Sequence, residues 1–488
     1  MRSRASVADL FRQQVFHGIA TQAVWLLSCI AGLAHCPPSH ADEPRRPSNV
    51  VIILADDLGY GDLGCYGNTR YKTPHLDQMA RDGARLTGFY APVPFCAPTR
   101  ASLMTGRYPP RCGLTQNPVP KEDLGGAKNA DELGLPVAET TLADVFHKAG
   151  YATACFGKWH LGHQPQFRPL KRGFDEYLGV LYSNDMHPVE LMDGDKVAEY
   201  PIDQNTLTRK LTDRALKFLD ANKDRPFLLY LPHAMPHKPL AASDDFRGKS
   251  GAGLYGDAVQ ELDWGVGQVL AKLKTLKLED RTLVVFASDN GAWYGGSSGG
   301  LRGMKGTSWE GGLRVPLIAR LPGKISPGHT SAEPAVMPDL FATACAFAGL
   351  KVPDGRTIDG KDLMPLLTAK EKAGPHEFVF STRGNQVATV RSGKWKLHVL
   401  APGGKQKAFR PDDPWTDPRG PDGKRIIAPK EQAHPSQYPG VQTGVAPKAG
   451  LLFDLDADPA EQTDVAAANL EVVNRFQEAA KHFEELKR

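Results

Sequence analysis

Cysteine is scarce in this sequence, with 7 among 488 residues, which excludes a scaffold held together mainly by disulfides. An excess of charge of one sign is also missing, because 59 Lys and Arg face 55 Asp and Glu and leave a net charge of +4. That balance argues against a partner such as nucleic acid, bound through a basic arm. No apolar run in the body of the chain reaches the ~20 residues that a membrane span requires, which excludes a polytopic membrane protein. The 41% of hydrophobic residues is instead typical of a globular protein with a sizeable core.

The one stretch with membrane character lies at the N-terminus. Three arginines within the first 12 residues precede an apolar run over residues 20–34, and Ser39-His40-Ala41 offers small residues for cleavage. We therefore predict that residues 1–41 are a signal peptide, that the protein is exported to the periplasm or secreted, and that no stable membrane span remains after cleavage. An uncleaved anchor is the alternative, which the shortness of the apolar run disfavours.

Alternating strand and helix patterns predict a layered α/β fold. Short apolar runs without alternation, typical of strands buried on both faces of a parallel sheet, occupy residues 49–55, 151–156, 227–231 and 282–288. Helical spacing of apolar residues appears over residues 207–219 and 259–273. Polar residues follow each strand, and ligands of such sheets bind beyond the carboxyl ends of the strands. We therefore expect the four polar clusters to converge on one site.

The pattern of predicted elements changes near residue 370, from alternating strands and helices to short strand-like runs. Strand-like runs at residues 377–382, 386–391 and 394–400, separated by turn signals, predict a small antiparallel sheet. Nine Pro and seven Gly fall within residues 401–450, which favours a long loop without regular elements, inserted before a strand at residues 451–455. A closing helix is expected from Pro459 onward. The predicted organisation is a main domain over residues 42–370 and a smaller C-terminal α+β subdomain over residues 371–488.

A run near residue 100 carries the first chemical signature. It reads Cys96-Ala97-Pro98-Thr99-Arg100 and continues to Thr105-Gly106-Arg107. This segment resembles the signature of the type I sulfatases, arylsulfatase-like enzymes of the alkaline phosphatase-like superfamily, in which a dedicated maturation enzyme oxidises the cysteine to Cα-formylglycine. The resemblance extends over residues 49–316. It implies a sulfuric ester hydrolase whose catalytic domain, residues 42–370, contains a large mixed, mostly parallel sheet sandwiched by helices.

The residues around this segment suit the hydrolysis of an anionic ester. Such a reaction needs a nucleophile, a counter-charge for the sulfuryl oxygens and a proton for the departing alcohol. Pro98 suits the first turn of a helix, which would place Cys96 near a helix N-terminus with Arg100 one turn on. Four further side chains offer only oxygen ligands, which suits a hard cation, calcium rather than magnesium or manganese. These four are Asp56, Asp57, Asp289 and Asn290.

The resemblance assigns these four residues to a calcium site that the formylglycine oxygen at position 96 completes. It implies that hydrated formylglycine presents a diol, of which one hydroxyl, activated by the metal and Asp289, attacks sulfur and forms a covalent sulfate ester. The second hydroxyl, deprotonated by a base that we assign to His160, then expels sulfate.

Other matched positions would bind the substrate. Lys158 and Lys305 match two family lysines that hold sulfate oxygens. In the segment that begins at His233, the family pattern His-x-Pro favours His237 as the sulfate-binding group and leaving-group acid, with His233 as a second candidate. Ser183 matches a substrate-contacting serine. Each residue alone would be an ordinary structural or solvated side chain, and only their joint occurrence in matching contexts favours a site.

Two other functions share parts of this pattern. A formylglycine-dependent phosphonate monoester hydrolase or phosphodiesterase would keep the fold, but the contexts of Lys158, His160 and Lys305 favour sulfate. A non-catalytic sulfated-glycan binding protein would leave Cys96 unmodified, and the intact set of acid, base and metal positions disfavours it. The expected substrate is a sulfated small molecule or glycan, selected by loops at residues 116–136, 163–172, 185–201 and 401–450. The sequence leaves open whether Cys65 and Cys112 form a disulfide or stay free thiols.

Overall fold

The computed structural model describes residues 48–120, 132–186, 188–403, 410–413, 416–417, 426–427 and 432–486. The predicted signal peptide lies outside these described residues. The strands are β1 (Asn49–Ala55), β2 (Ala84–Leu86), β3 (Phe89–Tyr90), β4 (Ala152–Lys158), β5 (Glu176–Val180), β6 (Leu191–Asp193), β7 (Lys196–Glu199), β8 (Phe227–Pro232), β9 (Thr282–Ser288), β10 (Leu317–Arg320), β11 (His329–Ser331), β12 (Ala335–Val336), β13 (Val379–Arg383), β14 (Gln386–Ser392), β15 (Trp395–His398), β16 (Thr416–Asp417), β17 (Ile426–Ile427) and β18 (Leu451–Asp454).

The α-helices are α1 (Pro74–Asp82), α2 (Cys96–Thr105), α3 (Pro109–Cys112), α4 (Leu142–Lys148), α5 (Leu207–Ala221), α6 (Gly253–Thr275), α7 (Glu310–Leu313), α8 (Asp339–Ala348), α9 (Met364–Leu367) and α10 (Leu470–Glu485). Short 3₁₀ turns lie at Gly64–Tyr66, Pro165–Phe167, Pro169–Lys171, Gln204–Thr206, Glu279–Arg281 and Ala466–Ala468.

The central sheet has ten strands in the order β11-β2-β10-β9-β1-β8-β4-β5-β6-β7. Its five middle strands, from β9 to β5, run parallel, whereas β10 pairs antiparallel with β9 and β6 pairs antiparallel with β5. The large mixed, mostly parallel sheet expected from the resemblance is therefore confirmed. The carboxyl ends of β1, β4, β8 and β9 lie along one edge, which positions the residues that follow them.

Strand β1 shows how the apolar runs build two cores. Val50, Ile52 and Leu54 belong to the core on one face of the sheet, and Val51 and Ile53 to the core on the other. Because successive side chains of a strand point to opposite faces, a run without alternation is what a doubly covered strand requires. All four predicted parallel strands lie in this sheet.

Helices cover both faces. The predicted helices at residues 207–219 and 259–273 are parts of α5 and α6, whose apolar faces share a core with α1. Helices α2, α4 and α8 pack on the opposite face of the sheet. The sandwich of helices around the sheet is confirmed.

The C-terminal region contains a second, four-stranded antiparallel sheet in the order β13-β14-β15-β18, as predicted. Helix α10 packs on it through Val473 and Phe476. The prediction that this helix begins near Pro459 was wrong, because it begins at Leu470. Before it, Asp458 accepts hydrogen bonds from the backbone N–H groups of Gln462 and Thr463, so the segment forms side-chain-bonded turns instead of helix.

Residues 401–450 are mainly loop, but the prediction that they contain no regular elements was wrong. β16 and β17 form a two-stranded antiparallel ribbon. The five cysteines of the described residues are free thiols, so the open question about Cys65 and Cys112 is answered in favour of no bridge between them. Within the described parts of the chain, no helix is both long and apolar enough to cross a membrane.

Candidate active site at the carboxyl edge of the sheet

Cys96 is the first residue of helix α2 and is 1% exposed. Its Sγ lies 3.3 Å from Asp56 Oδ1 and 4.0 Å from Asp57 Oδ1. The N–H of Ala97, in the first turn of the helix, donates to Asn117 Oδ1 at 3.0 Å. Burial and the charge of Asp56 raise the pKa of the thiol well above its usual range, so the unmodified side chain is neutral. The prediction that the cysteine lies at a helix N-terminus is confirmed.

Asp56 and Asp57 follow β1 directly and are fully buried. Asp57 has a φ of +60°, a left-handed conformation that is uncommon outside glycine and costs on the order of 1 kcal/mol. Its N–H donates to Asp289 Oδ1 at 3.2 Å, which joins the ends of β1 and β9. The strained turn thus brings carboxylates from two neighbouring strands together.

Three buried cations surround these carboxylates. Arg100 donates through Nε and Nη2 to Asp289 Oδ2 at 3.0 and 2.8 Å, and its Nη2 lies 3.3 Å from Asp56 Oδ2. Lys158 Nζ forms an ion pair with Asp56. Lys305 Nζ lies 2.7 and 2.9 Å from the two carboxylate oxygens of Asp57.

The position of Lys158 depends on the glycine before it. Gly157 has a φ of +142°, and a Cβ there would lie 1.8 Å from the carbonyl oxygen of Pro232. Only glycine therefore allows β4 to pass β8 this closely before the chain reaches the lysine. Lys158 also donates to Ser183 Oγ at 3.0 Å, which brings the predicted substrate-contacting serine to the site.

The carboxylates differ in their proton affinity. Burial alone would raise the pKa of Asp56, but Lys158, His237 and Arg100 outweigh it and hold that pKa far below its usual range. Burial raises the pKa of Asp289 to about 6, with a further contribution from Asp56 that Arg100 opposes. Burial also raises the pKa of Asp57, against the effect of Lys305. The buried cluster thus pairs three carboxyl groups with three basic side chains.

Part of this cluster has the geometry of a metal site. Ligand atoms of Asp56, Asp57, Cys96 and His237 all lie within 4.8 Å of one another. Asn290 donates to Asp57 Oδ1 at 2.8 Å, and its own Oδ1 is buried without a hydrogen-bond partner among the described residues. The oxygens of the predicted ligand Asp289 instead accept hydrogen bonds from Arg100 and from the N–H of Asp57.

His160 is buried and follows β4 in a left-handed conformation with a φ of +58°. Its Nε2 lies 3.0 Å from the carbonyl oxygen of Pro118. Because a carbonyl only accepts, Nε2 carries the proton and Nδ1 has the lone pair. Nδ1 has no hydrogen-bond partner in the part of the chain that the structure describes. Burial, with the charge of Lys158 nearby, holds the pKa of His160 well below its usual range, so the ring is neutral.

The two histidines after β8 lie in different environments. His237 Nδ1 donates to the carbonyl of Lys238 at 2.5 Å, and its Nε2 faces Asp57 Oδ2 at 3.7 Å. His233 is fully buried, and neither ring nitrogen has a hydrogen-bond partner among the residues described. Burial lowers the pKa of His233 to about 4. Of the two, His237 is the one that the structure places in the cluster.

A cavity of about 300 Å³ lies beside the cluster. Ser183 belongs to its wall, and the expected specificity loops contribute His163, Arg168, Val189 and Asp195. Ser183, which contacts Lys158, therefore lines a cavity that three of the four loops expected to select the substrate also line, since Pro120 belongs to it as well.

Sequence reasoning missed two residues at the site. Asn117 binds the first turn of α2, and its only signal is its place in a loop expected to select the substrate. Phe95, directly before Cys96, is 40% exposed, and the sequence pattern gives no reason to single it out.

The sheet, its helices and the cluster at its carboxyl edge define an α/β protein of the alkaline phosphatase-like class. The Sulfatase family matches residues 48–350, and the C-terminal region of aryl-sulfatase matches residues 374–488. The chain belongs to the sulfatase family and is a sulfuric ester hydrolase.

Individual relatives agree with this assignment. Steryl-sulfatase of Mus musculus is 36% identical, over 87% of this chain and 79% of its own length. Arylsulfatase A of Homo sapiens is 37% identical, over 93% of this chain and 89% of its own. A solved structure connected with glycosaminoglycan metabolism by Bacteroides thetaiotaomicron has a TM-score of 0.74 at 25% identity and covers 90% of this chain and 100% of its own.

Proposed function

We propose that this sulfatase is exported and hydrolyses sulfate monoesters of aryl or carbohydrate alcohols, with Cys96 converted to Cα-formylglycine and a calcium ion bound beside it. The catalytic domain is residues 42–370, and residues 371–488 form the C-terminal subdomain. Cleavage after Ala41 would release the mature chain. A formylglycine-generating enzyme is the partner that maturation requires.

The observation that carries the proposal is the position of Cys96. It begins a helix whose first N–H groups favour anions, and it lies within 4.0 Å of two carboxylates. A structural thiol has no need of such partners, since burial among apolar side chains would satisfy it. When present, hydrated formylglycine at this position supplies a hydroxyl nucleophile for sulfur.

The residues fit a calcium ion. Oxygen donors come from Asp56, Asp57, Asp289 and Asn290. The Oδ1 of Asn290, which has no hydrogen-bond partner among the described residues, is available to coordinate a cation. The three carboxylates and three cations cancel, so a divalent ion would leave the site positive and matched to an anionic ester. Calcium, rather than magnesium or manganese, suits such a crowded set of carboxylates. When bound, the ion supplies a Lewis acid that lowers the pKa of a coordinated hydroxyl.

The cations stabilise the charge on the transferred group. Lys158 approaches the cluster from the end of β4, and Lys305 approaches it from within the loop before α7. Each can therefore reach a different sulfuryl oxygen. Arg100 fixes Asp289 through two hydrogen bonds and thereby orients its carboxylate. These positive groups are already in place, so they need no reorganisation during the reaction.

Two histidines move protons. The unprotonated Nδ1 of His160, which has no hydrogen-bond partner among the described residues, suits the base that releases sulfate from residue 96. His237 presents Nε2 towards Asp57 and suits sulfate binding and protonation of the leaving alcohol. Ser183 would contact the substrate through the cavity that it lines. The ring nitrogens of His233 have no hydrogen-bond partner within the described parts of the chain, and its substrate-binding role is the least supported.

The test is peptide mass spectrometry across Cys96, on protein from a host with a maturation enzyme, together with an aryl sulfate assay. Conversion to formylglycine lowers the mass by about 18 Da, because the residue loses H₂S and gains oxygen. We expect that shift together with release of sulfate. N-terminal sequencing of the exported protein should begin at Asp42.

Other outcomes would contradict the proposal in different ways. Conversion of Cys96 with turnover only of phosphonate monoesters or phosphodiesters would make the chain a hydrolase of those esters. A thiol that persists while a control substrate of the same maturation enzyme is converted would favour a binding protein for sulfated glycans.

A further inference from the structure

Glu461 lies in the turn between β18 and α10, far along the chain from the proposed catalytic residues. It is fully buried and has a φ of +54°. Its Oε1 lies 2.6 Å from His398 Nε2 and 3.0 Å from Lys396 Nζ, and its Oε2 accepts from the backbone N–H of Glu310 at 2.6 Å. A non-glycine residue kept in a strained conformation with a buried charge points to a function that offsets the cost.

Its partners reach the loop that carries Lys305. Glu310, whose N–H binds Glu461, is the first residue of helix α7, where that loop ends. The carbonyl oxygen of Glu461 accepts from Arg302 Nη1 at 2.8 Å, where the loop starts. The guanidinium of Arg302 lies 3.7 Å from the ring centroid of Trp309 and closes the loop on itself. Glu461 therefore holds both ends of the loop over residues 302–310.

The loop has no strand or helix of its own to fix Lys305. Between its ends, the Lys305 N–H donates to Ala292 and the Gly306 N–H to Pro94, both at 3.0 Å. Release of either end would let Lys305 Nζ move relative to Asp57, which it contacts at 2.7 Å. Displacement of a catalytic group by about 1 Å can lower the rate by about 100-fold.

We propose that Glu461 is a positioning residue of the C-terminal subdomain that holds Lys305 in place to bind the sulfate group. This inference rests on the proposed role of Lys305 as a sulfate ligand. It means that the catalytic centre is incomplete without a residue that lies more than 150 positions later in the chain.

The test compares Glu461→Ala and Glu461→Gln with Glu484→Gln. Glu484 is a matched control, because its carboxylate also accepts a backbone N–H, that of Val387, but in the C-terminal sheet. For Glu461→Ala we expect kcat/KM for an aryl sulfate to fall by about 10- to 100-fold. Competitive inhibition by inorganic sulfate should weaken by a similar factor. Glu461→Gln should recover part of both, since its amide oxygen still accepts one hydrogen bond.

Hydrogen exchange provides a readout that does not depend on turnover. Amides of residues 302–310 should exchange faster in both Glu461 variants, and those of strand β8 should not change. The formylglycine content of each variant is measured by mass, which separates poor maturation from poor positioning. If the alanine variant does not fold, the glutamine variant carries both readouts.

Unchanged sulfate inhibition and unchanged exchange over residues 302–310 in a folded Glu461 variant would overturn the inference. Failure of the proposed function looks different, because the wild-type protein would then release no sulfate although the exchange result would still report on the loop.

A second inference concerns Phe95. Its side chain is 40% exposed although it directly precedes the buried Cys96. A Cβ on Gly306 would lie 3.9 Å from Cε1 and Cζ of the ring, so the ring lies against the glycine that follows Lys305. An exposed aromatic ring thus lies next to residue 96 in the chain and against the loop that carries Lys305.

We infer that Phe95 packs against the apolar face of a ring-shaped alcohol, which rests on the proposed function. Phe95→Ala should raise KM for 4-nitrophenyl sulfate by about 10-fold, equal to about 1.4 kcal/mol of lost contact. Inhibition of Phe95→Ala by inorganic sulfate should not change. The control Leu470→Ala, which removes an apolar side chain exposed on α10, should keep the KM of the wild type. Equal losses with 4-nitrophenyl sulfate and with inorganic sulfate would overturn this inference, whereas an inactive wild type would count against the proposed function.

Discussion

Single residues at the site owe their chemistry to burial beside opposite charges. Asp56 and Asp57 are adjacent, but cations hold the pKa of Asp56 below its usual range against the effect of burial, whereas burial raises the pKa of Asp57. The difference follows from Lys158 and Arg100, which contact Asp56. Proton affinity at this site is therefore set by which cation touches which oxygen.

Replacement of Cys96 by alanine tests its proposed role as the source of the nucleophile. Cys96→Ala should lower kcat for an aryl sulfate by about four orders of magnitude or more. The fold should persist with a loss of about 1 kcal/mol, because only one small buried side-chain group is removed. Cys345→Ala, at a buried thiol in α8, is the control and should keep its activity. Activity like that of the wild type in Cys96→Ala would remove the central claim.

Asp289 pairs with Arg100 and is one of the proposed calcium ligands. Asp289→Asn keeps the size of the side chain but removes the charge that pairs with Arg100. We expect the calcium concentration for half-maximal activity to rise at least about 10-fold and kcat to fall by about 100-fold. Activity is titrated with calcium after chelation. Asp359→Asn, at a partly buried carboxylate paired with Arg111 instead, should leave the titration unchanged. Full activity after exhaustive chelation would contradict the metal role.

At the scale of elements, helices on one face of the sheet support the helix that begins with Cys96. Helix α4 packs against α2 and β4. A capping box starts α4, in which Thr141 Oγ1 accepts from the Asp144 N–H at 3.0 Å and Asp144 Oδ2 accepts from the Thr141 N–H at 2.8 Å. The same hydroxyl donates to the carbonyl of Arg172. Two N–H groups at the helix start are thus satisfied by side chains.

Loss of this cap should cost stability but not chemistry. Thr141→Ala is expected to lower the free energy of unfolding by about 1 kcal/mol, because the cap and the bond to Arg172 are lost together. Urea unfolding measures the change, and Thr141→Ser should recover most of it. A KM for aryl sulfate equal to that of the wild type is expected. A loss below a few tenths of a kcal/mol would show that the hydroxyl contributes little.

At the scale of the whole molecule, a buried ionic network joins the C-terminal sheet to the main domain. Lys396 on β15 lies 2.9 Å from Glu310 Oε1 at the start of α7. Burial would raise the pKa of Glu310, but Lys396, Arg314 and Arg391 outweigh it and lower that pKa to about 2, from an ordinary value of 4.5. Apolar packing accompanies the network, since Tyr90 and Leu313 share a core with β14.

This network predicts a specific sensitivity to acid. A carboxylate with a lowered pKa stabilises the fold above pH 4.5, and the contribution is lost as the pH falls from 4.5 towards 2. The shift corresponds to about 3 kcal/mol. The free energy of unfolding in urea should therefore fall less between pH 5 and pH 2 for Glu310→Gln than for the wild type. Parallel pH profiles of the two proteins would contradict the assignment.

Much of the fold followed from local patterns. Unbroken apolar runs marked the four central parallel strands, and helical spacing marked α5 and α6, because burial on one or two faces leaves a period in the sequence. The start of α10 was missed because Asp458 takes the backbone N–H groups that a helix would use, and such competition has no period.

The sequence by itself determined the family, the parallel sheet and the set of chemical groups at its carboxyl edge. Local apolar periodicity and a contiguous motif around Cys96 suffice for these. Only the tertiary structure decided that His237, not His233, joins the cluster and that Cys65 and Cys112 stay apart. The attachment of Glu461 to the Lys305 loop was also visible only in the fold. These contacts join segments that are distant in the chain. Local sequence patterns do not predict them, because they depend on packing and charge pairing across the whole fold.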